Sequence, residues 1–384
     1  MRKLIPFFLC LLMVTACENK LYDTEDGLNR EMTLFEEEIS VPIGSAGPLT
    51  LDLALQNKTV AAILGSAIST EEDGTIVSKS SDQFFKINAY EIIAKTKDVS
   101  QPFSYPVDDK SFAPSSIANV LQTFGFNSVD QHLKVTVNNP LNKSYSLGGA
   151  LHVVCQDTKR YVYVYDQSFP LEGITIPRTR SDYSLLDMAL PDTVLFTPST
   201  LELNDWCFNL PANMDQEIRS SGTAEFAFNN EFSCHIAAGE NAEIPLAMFG
   251  MSKMSFKFGL PVASYKFKEV EASFVLENTL PLQVTLTDIQ LMTGKTPEVD
   301  ENLLVSPGVL VINGGSTAAP GKTPITLNIK ALEGSIPDIT GIQVELSIKS
   351  APGYADTRLS VKQGVSVKSA SATLRGGITL GANE

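Results

Sequence analysis

Two distant stretches of this chain spell the same strand and the same turn. In the first, Leu133, Val135 and Val137 alternate with polar residues and run into Asn138-Asn139-Pro140. In the second, Ala272, Phe274 and Leu276 alternate ahead of Asn278-Thr279-Leu280-Pro281, and Val284 and Leu286 then stand where Tyr145 and Leu147 stand in the first copy. Asn139 therefore matches Asn278, and Leu141 matches Leu280. Alternation places every second side chain on one face, the signature of a strand that buries that face against a core. A shift that holds through two alternating runs and the turn between them points to two related units.

The same alternation recurs at Arg160 to Tyr165, Glu225 to Phe228, Ser255 to Phe258, Ile325 to Ile329, Ile342 to Ile348 and Leu359 to Val367. Many short strands punctuated by turns make a sandwich. The 25 Gly and 21 Pro lie between strand candidates, as at Pro320-Gly321 and Pro352-Gly353, which reads as turns rather than a long linker. Helical spacing occurs at Leu51 to Ile68, where Leu53, Leu55, Val60, Ile63 and Leu64 share a face, and at Ser115 to Phe124 behind Pro114. The expected fold is mainly β: two β-sandwich-like domains with a few short capping helices. A boundary near Ser220-Ser221-Gly222 divides them into 31–220 and 221–384.

Ahead of this body, Arg2 and Lys3 precede an apolar run from Leu4 to Val14, followed by Thr15, Ala16 and Cys17. That is the layout of a secretory signal, expected here over 1–16. Its apolar core is about half of the roughly twenty residues that cross a bilayer as a helix, and no later stretch reaches that length. Val14-Thr15-Ala16-Cys17 resembles the bacterial lipobox, with Val where Leu is commoner. The resemblance implies diacylglycerol on the Cys17 thiol and cleavage before it. Residues 17–30 are polar and acidic, with too little apolar material to fold alone, and read as a lipidated Cys and a flexible tether. Scattered acids behind the Cys resemble the surface-export signal of Bacteroidota lipoproteins. Together with the Ile39 to Gly44 strand and the repeated Asn-ended strands, the chain resembles outer-membrane lipoproteins of gut Bacteroidota. That implies an outer-membrane location facing outside and a membrane partner reached through the lipid. Leu133 to Leu141 also resembles the sandwich of late-embryogenesis-abundant type domains, over about twenty residues per copy. A shared fold implies no reaction.

A net charge of −15 argues against nucleic acid or anionic lipid headgroups as partners. Cys155, Cys207 and Cys234 remain once Cys10 and Cys17 are set aside. Three thiols cannot all pair, and none lies at C-x₂-C spacing, so buried thiols, at most one disulfide and no metal are expected. His132, His152 and His235 sit in no catalytic motif, and the chain has no H-E-x-x-H, G-x-S-x-G or P-loop pattern. No catalytic residue and no cofactor are expected. Glu36-Glu37-Glu38 and Glu71-Glu72-Asp73 read as solvated edges or turns.

Two binding roles compete. Tyr161, Tyr163 and Tyr165 fall on one face of a strand and are the candidate ligand-binding residues, either as a platform for a glycan or as ordinary sheet packing. The lone Trp206 alternates like a buried strand residue. The other option is a structural or adhesive role, since fimbrial subunits of such bacteria are exported as lipoproteins with tandem β-sandwiches and trimmed after an Arg; Arg30, Arg178 and Arg180 are the candidate trimming sites and the partner is then a protein. The expected function is a lipid-anchored cell-envelope protein with a non-catalytic binding or structural role. The alternatives are a fimbrial or adhesin subunit and a glycan-binding accessory lipoprotein of a nutrient uptake system.

Overall fold

The computed structural model describes residues 31–35, 39–52, 68–96, 98–114, 118–157, 159–178, 182–214, 224–244, 253–257, 265–266, 269–294, 298–334, 336–337, 339–375 and 378–381. The signal, Cys17, the tether and most of the expected helix from Leu51 to Ile68 lie outside the described residues.

Strands β1 (Glu31–Phe35) and β2 (Ile39–Thr50) come first. A middle block follows: β3 (Ile68–Thr70), β4 (Ile76–Asn88), α1 (Ala89–Lys95), β5 (Phe103–Pro106), β6 (Lys110–Phe112), α2 (Ala118–Phe124), β7 (Phe126–Val137), β8 (Tyr145–Asp157), β9 (Val162–Pro170), β10 (Thr175–Ile176), β11 (Tyr183–Ala189), β12 (Thr200–Leu210) and β13 (Glu225–Ala238). The last block is β14 (Glu243–Ile244), β15 (Met254–Lys257), β16 (Tyr265–Lys266), β17 (Glu269–Asn278), β18 (Leu282–Thr293), β19 (Glu298–Val299), β20 (Leu303–Ser306), β21 (Leu310–Ile312), β22 (Gly321–Ala331), β23 (Ile339–Ser350), β24 (Gly364–Arg375) and β25 (Ile378–Gly381).

The middle block makes two antiparallel sheets. One has the order β11-β7-β13-β4-β3, and the other runs from the β5/β6 edge through β12 and β8 to the β9/β10 edge. The second unit repeats this: β22 (with β20 outside it), β17, β24 and β2 form one sheet, and β14/β15, β23, β18 and β19/β21 the other. Taken as eight successive strands, each unit has the sheet orders 1-8-3-6 and 2-7-4-5. Two Greek keys arranged in that way are a jelly roll. The sequence shift survives in the register: Phe228 pairs with Val137 in the first unit, and the residues that match them under that shift, Val367 and Leu276, pair in the second.

The two units are nested rather than consecutive. β2, strand 1 of the second jelly roll, precedes the whole first one, so the first unit sits inside the connection between strands 1 and 2 of the second. Strand pairing therefore divides the chain differently from the expected boundary near 220. β13 belongs with β7 and β4, while β1 and β2 pair with β25 and β24. Local alternation says that a segment is a strand but not which distant strand it joins.

Each unit buries the inner faces of its two sheets. In the first, Trp206 is 1 % exposed, and its ring centroid lies 5.1 to 5.3 Å from those of Phe85, Phe208 and Phe228, the separation of edge and tilted aromatic contacts. Its indole N–H donates to the Asp108 carbonyl at 3.1 Å, so the one polar atom of the ring is satisfied. In the second, Ala272, Val284, Ile325, Leu327 and Val344 pack together.

A further apolar cluster joins the units. It contains Ile76, Leu121, Phe124, Phe126 and Ile236 from the inserted unit with Leu280, Leu282 and Leu359 from the other. Leu359 to Gln363, expected as the start of a strand, is instead a turn segment that seals this joint, and the strand begins at Gly364. The segment is laid against the first unit, with Leu359 N–H donating to Ile236 O at 2.8 Å, Ile76 N–H to Leu359 O at 2.9 Å and Val361 N–H to Gly74 O at 2.9 Å.

Candidate functional site

The three tyrosines singled out by their alternation do not share a face. Tyr165 pairs with Cys155 and Tyr163 with Gln156, so Val164 is an extra residue bulged out of β9. Directly paired residues in a ladder point to the same side, and Cys155 and Gln156 point to opposite sides. The bulge therefore turns Tyr165 onto the core, where it packs as a partly buried residue, and leaves Tyr163 facing solvent. Tyr161 lies in the turn before β9 with φ of 56° and is 82 % exposed. Alternation fails as a guide wherever a strand takes an extra residue.

The histidines are taken up by carboxylates. His132 Nε2 meets Asp187 at 2.9 Å, and His152 Nδ1 meets Asp166 at 3.5 Å. His235 sits between Asp130 at 3.0 Å and Glu71 at 3.3 Å. Asp130 also receives Arg358 from the other unit at 2.7 Å, which makes this cluster part of the joint. Cys155, Cys207 and Cys234 are free thiols. Burial pushes Cys155 up to about 12 and Cys234 up to about 11, so both are neutral and unreactive at physiological pH. Cys207 is half-buried. Among the described residues no group of three or more His, Cys, Asp or Glu could hold a metal ion, and no helix is long and apolar enough to cross a membrane. Arg178 is exposed between β10 and β11, where cleavage would sever strands 5 and 6 of the first jelly roll. Arg30 and Arg180 lie outside the described residues.

A different surface carries an ordered set of polar side chains. On β12, Leu201, Leu203, Trp206, Phe208 and Leu210 are buried, which turns Cys207 and Asn209 outward. Asn209 pairs with Ser104 of β5 on one side and with Ser146 of β8 on the other, and Ser146 pairs with Thr175 of β10. Ser104, Asn209, Ser146 and Thr175 thus form one row across four adjacent strands on the outer face of the sheet. The Ser104 hydroxyl donates to Asn209 Oδ1, and the Cys207 thiol approaches the same oxygen at 3.7 Å, which fixes the amide. The next row along is Pro106, Cys207 and Gly148. A Cβ on Gly148 would stand 2.9 Å from Cys207 Sγ, so the missing side chain gives the sulfur its room. On the other flank Ser144, Pro102 and Pro211 complete an open depression of about 460 Å³.

Sequence reasoning missed this row because its members come from four segments whose neighbourhood is set by pairing. The signal open to it was the neutral outward position in each segment, as in Cys207-Phe208-Asn209 and Ser146-Leu147-Gly148.

No family model matches the chain, and no curated protein matches it. Among solved structures it is similar to the infectious bursal disease virus Gx strain, at 12% identity over 97% of this chain and 81% of that one, with a TM-score of 0.22. The VP2 subviral particle of the same virus gives 13% identity over 97% and 80%, with a TM-score of 0.20. Cucumber leaf spot virus gives 7% identity over 95% and 98%, with a TM-score of 0.15. Likenesses at these scores carry no argument about function.

Proposed function

We propose that the chain is a lipid-anchored protein of the bacterial outer membrane, facing outward, with a non-catalytic binding or structural role carried by two nested jelly rolls. The observation behind the anchor is Val14-Thr15-Ala16-Cys17 at the end of a short apolar run. A mature lipoprotein carries two or three acyl chains, each buried CH₂ contributing about 0.8 kcal/mol, whereas a single chain holds only marginally.

The nested topology bears on where such an anchor would attach. β1, the first strand behind the expected tether, pairs with β25 and lies beyond the end of β2 that faces away from the joint. A lipid at Cys17 would thus hold the C-terminal unit by its free end and leave the inserted unit farther from the bilayer.

Metabolic labelling with radioactive palmitate tests the proposal. The parent takes up label and stays in the envelope fraction through a high-salt wash, whereas Cys17→Ser is unlabelled and is released. A parent without label, or a Cys17→Ser protein held as firmly as the parent, overturns the anchor.

A further inference from the structure

We propose that the row Ser104, Asn209, Ser146 and Thr175, at the tip of the inserted unit, is a binding site for a neutral oligosaccharide. The inference rests on the reading of the chain as an outward-facing binding protein and names the surface and the ligand class.

The first support is position. The joint cluster takes Leu121 and Phe124 from α2, and Gln122 of that helix donates to Gln156 O at 2.9 Å, near the end of β8. Ser146 is at the opposite end of the same strand, ten residues earlier, or about 33 Å away at the rise of an extended chain. The row therefore lies at the end of the inserted unit remote from the joint, beside the loops that join strands 1 to 2, 3 to 4, 5 to 6 and 7 to 8.

The second support is chemistry. Neighbouring strands lie about 4.8 Å apart, so the row presents one hydrogen-bonding side chain per strand over roughly 14 Å. Three of its members are hydroxyls, which both donate and accept, and the fourth is an amide, which also does both. A ligand made of hydroxyls needs that mixture. No Asp, Glu, Lys, Arg or His lines the depression, and the Tyr145 phenol is turned inward to the Asn138 carbonyl at 2.9 Å. The Lys143 ammonium beside the rim is turned to the Ala212 and Asn213 carbonyls at 3.0 and 3.3 Å, so the lining itself offers a charged ligand no counter-charge. Pro102 and Pro211 add apolar C–H surface, which suits the C–H faces of a pyranose.

The third support is shape. The depression is open rather than enclosed and lies across the strands, so it fits a short chain better than a compact molecule held on all sides. Ser104 is exposed and Asn209 half-exposed, which leaves both within reach of a ligand.

The test uses the full-length protein on an array of neutral gluco-, manno-, xylo- and galacto-oligosaccharides printed beside sulfated and uronic-acid-containing ones, followed by calorimetry on the best neutral probe. We expect neutral binding that weakens about tenfold in Asn209→Ala, the loss of one net hydrogen bond. Ser104→Arg, at an exposed position that disturbs no core residue, should abolish binding, and Tyr163→Ala should leave it within about twofold of the parent. Absence of any neutral hit, preference for the acidic probes, or binding that survives Ser104→Arg in a protein with the parent's melting temperature overturns the proposal. Palmitate labelling of the same preparation separates the two readings, since labelled protein that binds no sugar sinks the site alone and unlabelled protein that binds sinks the anchor alone.

Discussion

Asn139 and Asn278, equivalent positions in the two jelly rolls, make the same two hydrogen bonds. Asn139 Oδ1 accepts from Leu141 N–H at 2.9 Å and its Nδ2 donates to Lys143 O at 2.9 Å. Asn278 Oδ1 accepts from Leu280 N–H at 2.9 Å and its Nδ2 donates to Leu282 O at 2.8 Å. Each amide closes the turn between strands 3 and 4 of its own jelly roll, and three of the four bonds are buried, the one to Lys143 O partly so. Removing the amide leaves those groups unpaired at about 1–3 kcal/mol. Asn139→Ala and Asn278→Ala should each lower the unfolding free energy by that amount and shift the urea midpoint down accordingly, with Asn139→Ala the more damaging because its Nδ2 also reaches Pro177 O at 2.9 Å. A midpoint unchanged in both variants refutes a structural role for the shared turn.

That pair also shows how far the sequence carries. The alternation, the turn asparagines and their constant shift were all local signals, and the matching registers of Phe228 with Val137 and Val367 with Leu276 follow from them. The nesting did not, because β2 meets β24 from the far end of the chain and nothing within either segment names its partner. The tyrosine face was misjudged for a related reason, since the extra residue at Val164 is a property of the β8–β9 pair and not of β9 alone. The row around Asn209 stayed hidden because serines scattered over four segments become a surface only when those segments are set side by side.

The joint between the units should depend on its apolar seal and not on its visible ion pair. Arg358 and Asp130 meet at 2.7 Å, but their side chains are 53% and 41% exposed, and exposed pairs are worth about 0–1 kcal/mol. Leu359, 6 % exposed, packs in the joint cluster, and truncating a buried Leu costs about 2–5 kcal/mol. Arg358→Met should unfold in a single transition close to the parent's, whereas Leu359→Ala should split denaturation into two steps as the units lose their coupling. Equal effects of the two substitutions would show that the joint is electrostatic.

The thiols give a graded chemical readout. At neutral pH iodoacetamide should modify Cys207 in the folded protein, while Cys155 and Cys234 react only after unfolding, as peptide mapping by mass spectrometry would show. Their burial also fixes the sign of an alkaline effect. A thiol whose folded value is raised stabilises the fold fully below its unfolded value, near 8.5, and loses that contribution as pH rises toward about 12 for Cys155 and about 11 for Cys234. Stability should therefore fall above about pH 9, and Cys155→Ala should flatten the fall. Burial raises the Tyr145 phenol too, so a part of the loss above pH 10 should persist in that variant.

The two jelly rolls solve one irregularity on opposite strands, and this makes a crossed pair of substitutions informative. In the first unit the extra residue is on strand 7, where Asp205 and Trp206 together oppose Gly149 of strand 4, with Asp205 at φ 48° and Gly149 at φ +90°. In the second unit the bulge moves to strand 4 itself, where Asp288, the position that matches Gly149 under the repeat shift, takes φ 48°. A Cβ on Gly149 would lie 2.6 Å from both Asp205 O and Trp206 Cα, backbone atoms that cannot swing aside. Gly149→Ala should thus cost about 3 kcal/mol or more, since it combines overlap with a strained backbone. At Asp288 a glycine relieves about 1–2 kcal/mol of left-handed strain, which offsets about 1 kcal/mol of added chain entropy and the half-exposed ion pair with Lys253. Asp288→Gly should accordingly melt within a few degrees of the parent, and a loss as large as that of Gly149→Ala would mean that the aspartate is held there for its charge and not for its backbone.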